Sequence, residues 1–330
     1  MNVLVTGATG FLGSRLIEKL DTLNYIDVII ATGRKIRETH YIESKKIKYL
    51  LGDLSDKKFV NQITRDVDII VNCASLSSPW GSYSDFKKAN VDTQKNLIQA
   101  SKTNNIKKII YISSPGLYYE FKDLIDIPET SPLPKKFVNH YAETKYLAEE
   151  LLKSSNIPNV IFRPKAIIGR GDHVIVPRLI KAYDDQKLKI VGNGNNLVDL
   201  TPVSNVVDAI ILAINNEDAI NQTFNLSNGN PIKLWEVINY VLKKLNKKKV
   251  TKRVPYKVAY FVTYINELVS KIFNLGEHST TRYSIGILAK SFTLNIKKAN
   301  DILKYVPNQT TQEAIEEFLE WFKANQEEES

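Results

Sequence analysis

Short apolar runs alternate with stretches whose apolar residues recur every three or four positions, and this rhythm fills the first half of the chain. The runs Val3–Thr6, Asp27–Ala31, Ile47–Leu51, Asp68–Cys73, Lys108–Ser113 and Asn159–Phe162 read as strands. Helical periodicity occupies Phe11–Leu23, Asp56–Ile63, Asp85–Thr103 and Asn139–Ser154 between them. Strand and helix in turn predict βαβ units, whose right-handed crossovers imply an α/β, doubly wound parallel sheet.

After Pro164 the rhythm changes. Helices are predicted at Val176–Asp185, Val203–Asn215, Leu234–Leu245, Val258–Phe273 and Thr311–Asn325, with a turn at Gly192–Asn196 and a short strand at Thr223–Leu226. The helix from Val203 has the pattern of one packed on a sheet. The expected division is a dinucleotide-binding domain of residues 1–165 plus about 197–228, and a smaller, partly helical C-terminal substrate lobe. That lobe takes residues 166–196 plus 229–330, with its cleft over the carboxyl ends of the strands.

Composition narrows the partners. At 330 residues, 43% apolar and 25% charged, the chain has the make-up of a soluble globular protein with a sizeable core. A strand beginning at Asn2 leaves no room for a targeting peptide before it, and a lone cysteine, Cys73, excludes an internal disulfide. A cytoplasmic setting is the expectation. The net charge of +9 comes with lysines spread along the chain and no nucleic-acid motif, so it reads as solvated surface. Lys243–Arg253 is a basic run, and the apolar stretch Val258–Phe273 is interrupted by Asn266, Glu267 and Lys271. That interruption argues against a spanning helix and leaves packing on the lobe or a peripheral membrane contact. His140 and His173 lack ligand spacing, so no metal site is expected.

The first strand runs into Thr6-Gly-Ala-Thr-Gly-Phe-Leu-Gly13, which opens a helix. Gly7, Gly10 and Gly13 at this spacing allow a tight turn, close approach of backbone to a pyrophosphate, and helix packing on the sheet. That is the cofactor turn of a Rossmann fold. An acid at the end of the second strand would bind the ribose hydroxyls of NAD(H). Here the strand ends Ala31-Thr-Gly-Arg-Lys35, so Arg34, with Lys35, offers a fork to a 2′-phosphate, and NADP(H) is favoured over NAD(H). Asp53 in Gly52-Asp-Leu54 is placed to meet the adenine amino group, and Ala74 ends the fourth strand where backbone packs on the cofactor.

Tyr141 and Lys145 stand one helical turn apart, a spacing that puts a phenol and an ammonium on one helix face. A positive charge nearby favours the phenolate and fits tyrosine to move a proton near neutral pH. The same spacing recurs at Tyr41/Lys45, Tyr83/Lys87, Tyr118/Lys122, Tyr183/Lys187 and Tyr240/Lys244. Spacing alone does not choose among the six; the glycine turn at the start of the chain, the strand order and Ser114 upstream point to Tyr141/Lys145.

With TGATGFLG, GDL at Gly52, YISSPGLYY, YAETK, FRPKAIIGRGD, NNLVDLTPVSNVVDAI and the late STTRYSIG and LNIKKANDILKY segments, the chain resembles the extended short-chain dehydrogenase/reductase superfamily over nearly its whole length. The resemblance implies Tyr141 as acid/base, Lys145 as its electrostatic partner and ribose ligand, and Ser114 as donor to the substrate oxygen. Ser114 is chosen over Ser113 because it lies four residues before Tyr118. It also extends the cofactor contacts to Thr9, Phe11, Leu12, Leu54 and Pro164, and implies a homodimer through the helices of 85–103 and 139–154. Asn90 matches a position near the active site.

Nucleotide-sugar epimerases and dehydratases of the superfamily have an arginine where this chain has Val198, and dehydratases a Thr-Asp-Glu where it has Pro115-Gly-Leu117. The resemblance is therefore nearer to the 3β-hydroxysteroid dehydrogenase-like branch, which acts on ketones and secondary alcohols of apolar molecules. Lys165 and Arg170 depart from that branch; they are either surface charges or receivers of an acidic group. The expected protein is an NADP(H)-dependent oxidoreductase for a small hydrophobic carbonyl or alcohol. A nucleotide-sugar epimerase and a non-catalytic redox-sensing NADP-binding protein are the alternatives.

Overall fold

Leu4 points to one face of its strand and Val3 and Val5 to the other, and all three are fully buried. Such a strand needs helices on both sides. The computed structural model, which describes residues 1–78, 80–273 and 280–328, supplies them. In order come β1 (Asn2–Thr6), α1 (Phe11–Asp21), β2 (Val28–Thr32), β3 (Ile47–Tyr49), α2 (Lys57–Ile63) and β4 (Ile69–Asn72). Then follow α3 (Tyr83–Phe86), α4 (Thr93–Thr103), β5 (Lys108–Ile112), β6 (Leu124–Ile127), α5 (His140–Lys153) and β7 (Asn159–Pro164). The second half holds β8 (Ile167–Ile168), α6 (Ile175–Asp184), β9 (Ile190–Val191), β10 (Leu197–Val198), β11 (Thr201–Pro202), α7 (Val203–Ile214) and β12 (Gln222–Leu226). It closes with β13 (Ile232–Lys233), α8 (Leu234–Lys244), β14 (Arg253–Val254), α9 (Tyr256–Phe273), α10 (Arg282–Ala289), β15 (Phe292–Leu294) and α11 (Thr311–Glu328).

Seven parallel strands form the central sheet in the order β12-β7-β5-β4-β1-β2-β3. Chain direction across the sheet reverses between β1 and β4, which opens a crevice at their carboxyl ends. On one face Val3, Ile29, Ile110 and Val160 pack against Leu16 and Ile17 of α1 and Val206 and Ile210 of α7. On the other, Leu4, Ile70, Ile109 and Ile161 pack against Val60, Leu97 and Leu152 from α2, α4 and α5. The alternation within each strand is thus spent on two cores.

Three features differ from the sequence reading. The helix expected from Asp85 begins at Tyr83, capped by the Ser82 hydroxyl, and passes through a π-turn at Lys87–Asp92 before α4. The chain also carries more strand than its periodicity shows: β6 of the first half joins β13, β10 and β15 of the second in a mixed four-stranded sheet, ordered β13-β10-β15-β6. Strands of two to four residues are too short to display alternation. Helix α10, closed by a Thr281/Ser284 capping box, was not anticipated. Ser279, at the head of the late resemblance segment, lies outside the described residues. Among the described residues no helix is long and apolar enough to cross a membrane.

Candidate active site

The crevice begins at the glycine turn. Gly7 has φ +65°, and a Cβ on it would stand 2.8 Å from the Ala74 amide nitrogen, so the end of β4 presses directly on the turn. A Cβ on Gly13 would stand 2.1 Å from the Gly7 carbonyl, so these two glycines bring helix and turn together. Gly10 is the N-cap of α1, and no side chain caps it. The leading amides of α1, at Phe11, Leu12 and Gly13, therefore remain available to an anion. Gly13→Ala is expected to lower the thermal midpoint through about 2 kcal/mol of overpacking, and to abolish cofactor binding in a fluorescence titration; an unchanged midpoint would refute the packing argument.

Thr9 closes over the end of β2, where a Cβ on Gly33 would stand 2.2 Å from its hydroxyl. Beyond it Arg34 and Lys35 are exposed. Asp53 is exposed too: its Oδ1 accepts the Ser55 amide at 2.9 Å, and Lys88 approaches its carboxylate to 3.3 Å. Leu54 is buried in the core under α4, and Pro164 ends β7 opposite Leu226. Behind the turn, Thr6 donates to Asn72 at 2.6 Å and Asn72 donates to Gln94 at 2.6 Å. These buried bonds hold the strand ends in register.

Helix α5 carries the Tyr141/Lys145 pair. Asn139 caps it by accepting the Ala142 amide at 2.9 Å, and Tyr141, Lys145 and Glu149 then follow at successive turns. Lys145 is buried; its Nζ donates to the Ile112 carbonyl at 2.5 Å and lies 4.4 Å from the centre of the Tyr111 ring. Burial draws its pKa down to about 7, against the opposing pull of Glu149 and Cys73. Burial also raises Tyr141, while the hydroxyls of Ser114, Ser77 and Ser75 favour its anion. The sequence reading had Lys145 pulling Tyr141 down. Here desolvation dominates both groups, and the lysine charge that was to do the pulling is itself weakened.

Ser114 accepts the Gly116 amide at 3.1 Å, which leaves its proton free for Tyr141 or a substrate oxygen. Ser113 lies beside Glu149 instead. The competing Tyr/Lys pairs are engaged elsewhere. Tyr41 and Tyr83 are exposed, Tyr118 is held by Arg163, Lys247 stands over the Tyr183 ring while Lys187 pairs with Asp185, and Tyr240 and Lys244 both bond Glu316.

Ser75, Ser77, Glu149 and Arg163, which the sequence did not single out, also surround the pair, and Asn90, which the resemblance placed near the site, joins them. Ala74 is followed by Ser75-Leu-Ser-Ser78, and this serine-rich stretch after a strand end was the available signal. Asn90, turned inward by the π-turn, accepts the Leu76 amide at 2.9 Å and the Ser75 hydroxyl at 3.1 Å, and donates to Thr144 at 3.0 Å. It ties the serine loop to α5. Glu149 forms a buried two-pronged ion pair with Arg163 of β7, at 2.9 and 2.5 Å. His40 bonds the Thr9 carbonyl at 3.0 Å and meets His173, the two Nε2 atoms 3.3 Å apart. Among the described residues no group of three metal-ligating side chains forms. Cys73 is half-buried against the core, and burial pushes its thiol up to about 12.

The side of the crevice next to Tyr141 is aromatic. Tyr119 stacks on Phe292 and meets the edge of Tyr283, each at 5.7 Å, and Tyr283 is raised by burial and by its nearness to Tyr141. The two unusual cations part company. Arg170 is held at the surface by Glu18 and Glu317. Lys165 is buried, 4.1 Å from the centre of the Phe292 ring, and its pKa is drawn down to about 8 by burial despite the Asp199 charge. Val198 is buried in β10.

The model of the 3-beta hydroxysteroid dehydrogenase/isomerase family matches residues 4–256. The decarboxylating sterol-4-alpha-carboxylate 3-dehydrogenase of Candida albicans is 32% identical, with 97% of each chain covered. The 2-alkyl-3-oxoalkanoate reductase of Stenotrophomonas maltophilia is 30% identical, covering 98% of this chain and 99% of that one. In fold, the UDP-glucuronic acid 4-epimerase of Bacillus cereus in complex with NAD is similar at a TM-score of 0.77 and 21% identity, over 98% and 99% of the two chains. A glycine turn at the sheet's reversal, with a half-buried tyrosine and a buried lysine on one helix beside it, agrees with these matches. The chain belongs to the 3-beta hydroxysteroid dehydrogenase/isomerase family and is an NAD(P)-dependent enzyme of the extended short-chain dehydrogenase/reductase type.

Proposed function

We propose that the protein interconverts a ketone and a secondary alcohol on a small hydrophobic molecule, using NADP(H). The observation that carries this reading is the half-buried Tyr141 phenol, set among the Ser114, Ser75 and Ser77 hydroxyls with aromatic side chains beside it. Residues 1–165 and about 197–228 form the cofactor domain in this reading, and 166–196 with 229–330 the substrate lobe. The uncapped start of α1 fits a pyrophosphate, with Gly7, Thr9 and Gly10 shaping the cradle and Ala74, Leu54 and Pro164 along its walls. When bound, the nicotinamide supplies or accepts the hydride. Ser114 donates a hydrogen bond to the substrate oxygen, and Tyr141 gives that oxygen its proton in reduction or takes it in oxidation. Lys145, anchored at the Ile112 carbonyl, places a charge beside the ribose and the phenol.

Two relatives carry names that suit this reading, a sterol 3-dehydrogenase and an oxoalkanoate reductase. Val198 argues against a sugar diphosphate, which needs a cation at that place. A homodimer through α4 and α5, in a reducing compartment, completes the proposal. Arg34→Ala should weaken NADPH binding roughly tenfold or more, through loss of a charge-assisted bond, and leave NADH nearly unaffected. Fluorescence titration with both nucleotides decides this: tighter binding of NADH by the unaltered protein would overturn the cofactor assignment.

A further inference from the structure

Helix α9 is turned inside out. Its buried stripe, Ala259, Thr263, Glu267 and Ser270, is mostly polar, and Arg282 holds Glu267 there with its Nε at 2.6 Å. The opposite face carries Val258, Phe261, Val262, Ile265, Leu268 and Ile272, each between 40 and 67% exposed. At 3.6 residues per turn these six side chains fall within about 120° of arc. Among the described residues, no other element gathers exposed apolar side chains in this way.

Charge surrounds that face. Residues 243–273 contain nine lysines and arginines and a single acid, Glu267, so this stretch carries all but one unit of the chain's net charge of +9. Lys244 and Lys247 are occupied by Glu316 and Asp184. Lys248, Lys249, Lys252, Arg253 and Lys257 are exposed and meet no carboxylate among the described residues. A symmetric pairing of two α9 faces would bring the two basic rims together and be opposed by their repulsion. An apolar stripe bordered by free cations is complementary to a surface with anionic headgroups above hydrocarbon.

We propose that the outer face of α9 lies in the interface of an anionic lipid bilayer, with the cations of residues 248–257 on the lipid phosphates. The inner edge of the same helix leads toward the site. Tyr260 meets the edge of Phe121 at 5.6 Å, and Phe121 meets Tyr119 at 5.5 Å. A membrane-seated α9 thus sets the aromatic side of the candidate site next to the bilayer, a source of apolar molecules. The docking itself does not depend on what the substrate is.

Sedimentation of the full chain with vesicles tests this. Vesicles with roughly 30% phosphatidylserine should bind at least about tenfold more tightly than phosphatidylcholine alone, and about 0.5 M salt should release the protein. The pair Phe261→Ser with Ile265→Ser, and separately Lys248→Glu with Lys249→Glu and Lys252→Glu, should each cut binding about tenfold or more. Their circular dichroism and melting should be unchanged, because every one of these side chains is exposed. Failure of the unaltered protein to bind anionic vesicles overturns the proposal, as does binding that the serine pair leaves intact. A dimer in sedimentation velocity that the serine pair dissociates also overturns it, by assigning the face to a second copy.

Discussion

Tyr141→Phe leaves the protein folded and able to hold its cofactor, and lowers kcat/KM for ketone reduction about a hundred- to ten-thousand-fold, the usual contribution of a placed general acid. The ring keeps its seat, packed 6.5 Å from Phe86, so the change deletes one hydroxyl and little else. Burial raises the phenol above its ordinary pKa, so it is protonated near neutrality and ready to donate in the reductive direction. In the oxidative direction the same group must lose a proton, and the surrounding serine hydroxyls favour that anion. Ser114→Ala should therefore reduce turnover by less than Tyr141→Phe, since Ser75 and Ser77 remain beside the phenol. Single-turnover rates with each variant, alongside nucleotide titration, separate loss of chemistry from loss of binding. Full turnover by Tyr141→Phe would remove Tyr141 from the reaction.

What could be read from the sequence was what repeats or what has fixed spacing. Six strands of the central sheet, β1 to β5 and β7, show because each lies in an apolar run several residues long, most of them set between helices. The glycine turn shows because only glycine tolerates the approach of Ala74 to Gly7 and of Gly13 to the Gly7 carbonyl. The short strands β10, β13 and β15 were invisible because their pairing is entirely tertiary: Val198 bonds beside Phe292, nearly a hundred positions away. The same holds for the site. Tyr141 and Lys145 are local to one helix, whereas Ser77 and Arg163 reach it from two other parts of the chain, and Asn90 was legible only through the family resemblance. The sign of the tyrosine's pKa was misread for a related reason. Charge proximity is legible from helix spacing, but burial is a property of the whole fold.

Glu149→Ala destabilises the protein by about 3–5 kcal/mol, because it strands the Arg163 guanidinium in the core. Both side chains are buried, and Arg163 also donates to the Tyr118 hydroxyl, which in turn donates to Asn225 at 3.1 Å. Removing one charge leaves the other without water or counter-ion; removing both need not. Glu149→Leu with Arg163→Met should recover most of the lost stability in chemical denaturation, since two apolar side chains fill the same core without a desolvation cost. A double variant as unstable as the single one would mean that the pair's geometry, not its charge balance, holds α5 to β7. Function separates the two further. Glu149 is the larger of the charges that hold the Lys145 pKa up against burial. Its loss favours neutral lysine, so Lys145 should titrate below the value of about 7 it has here. If protonated Lys145 supports the developing phenolate, kcat/KM declines on the alkaline side as Lys145 deprotonates, and in the double variant that decline moves to lower pH. A stable double variant with an unmoved pH profile would confine Glu149 to architecture. A shifted profile would make it a positioning residue that sets the charge of Lys145 from one helical turn away.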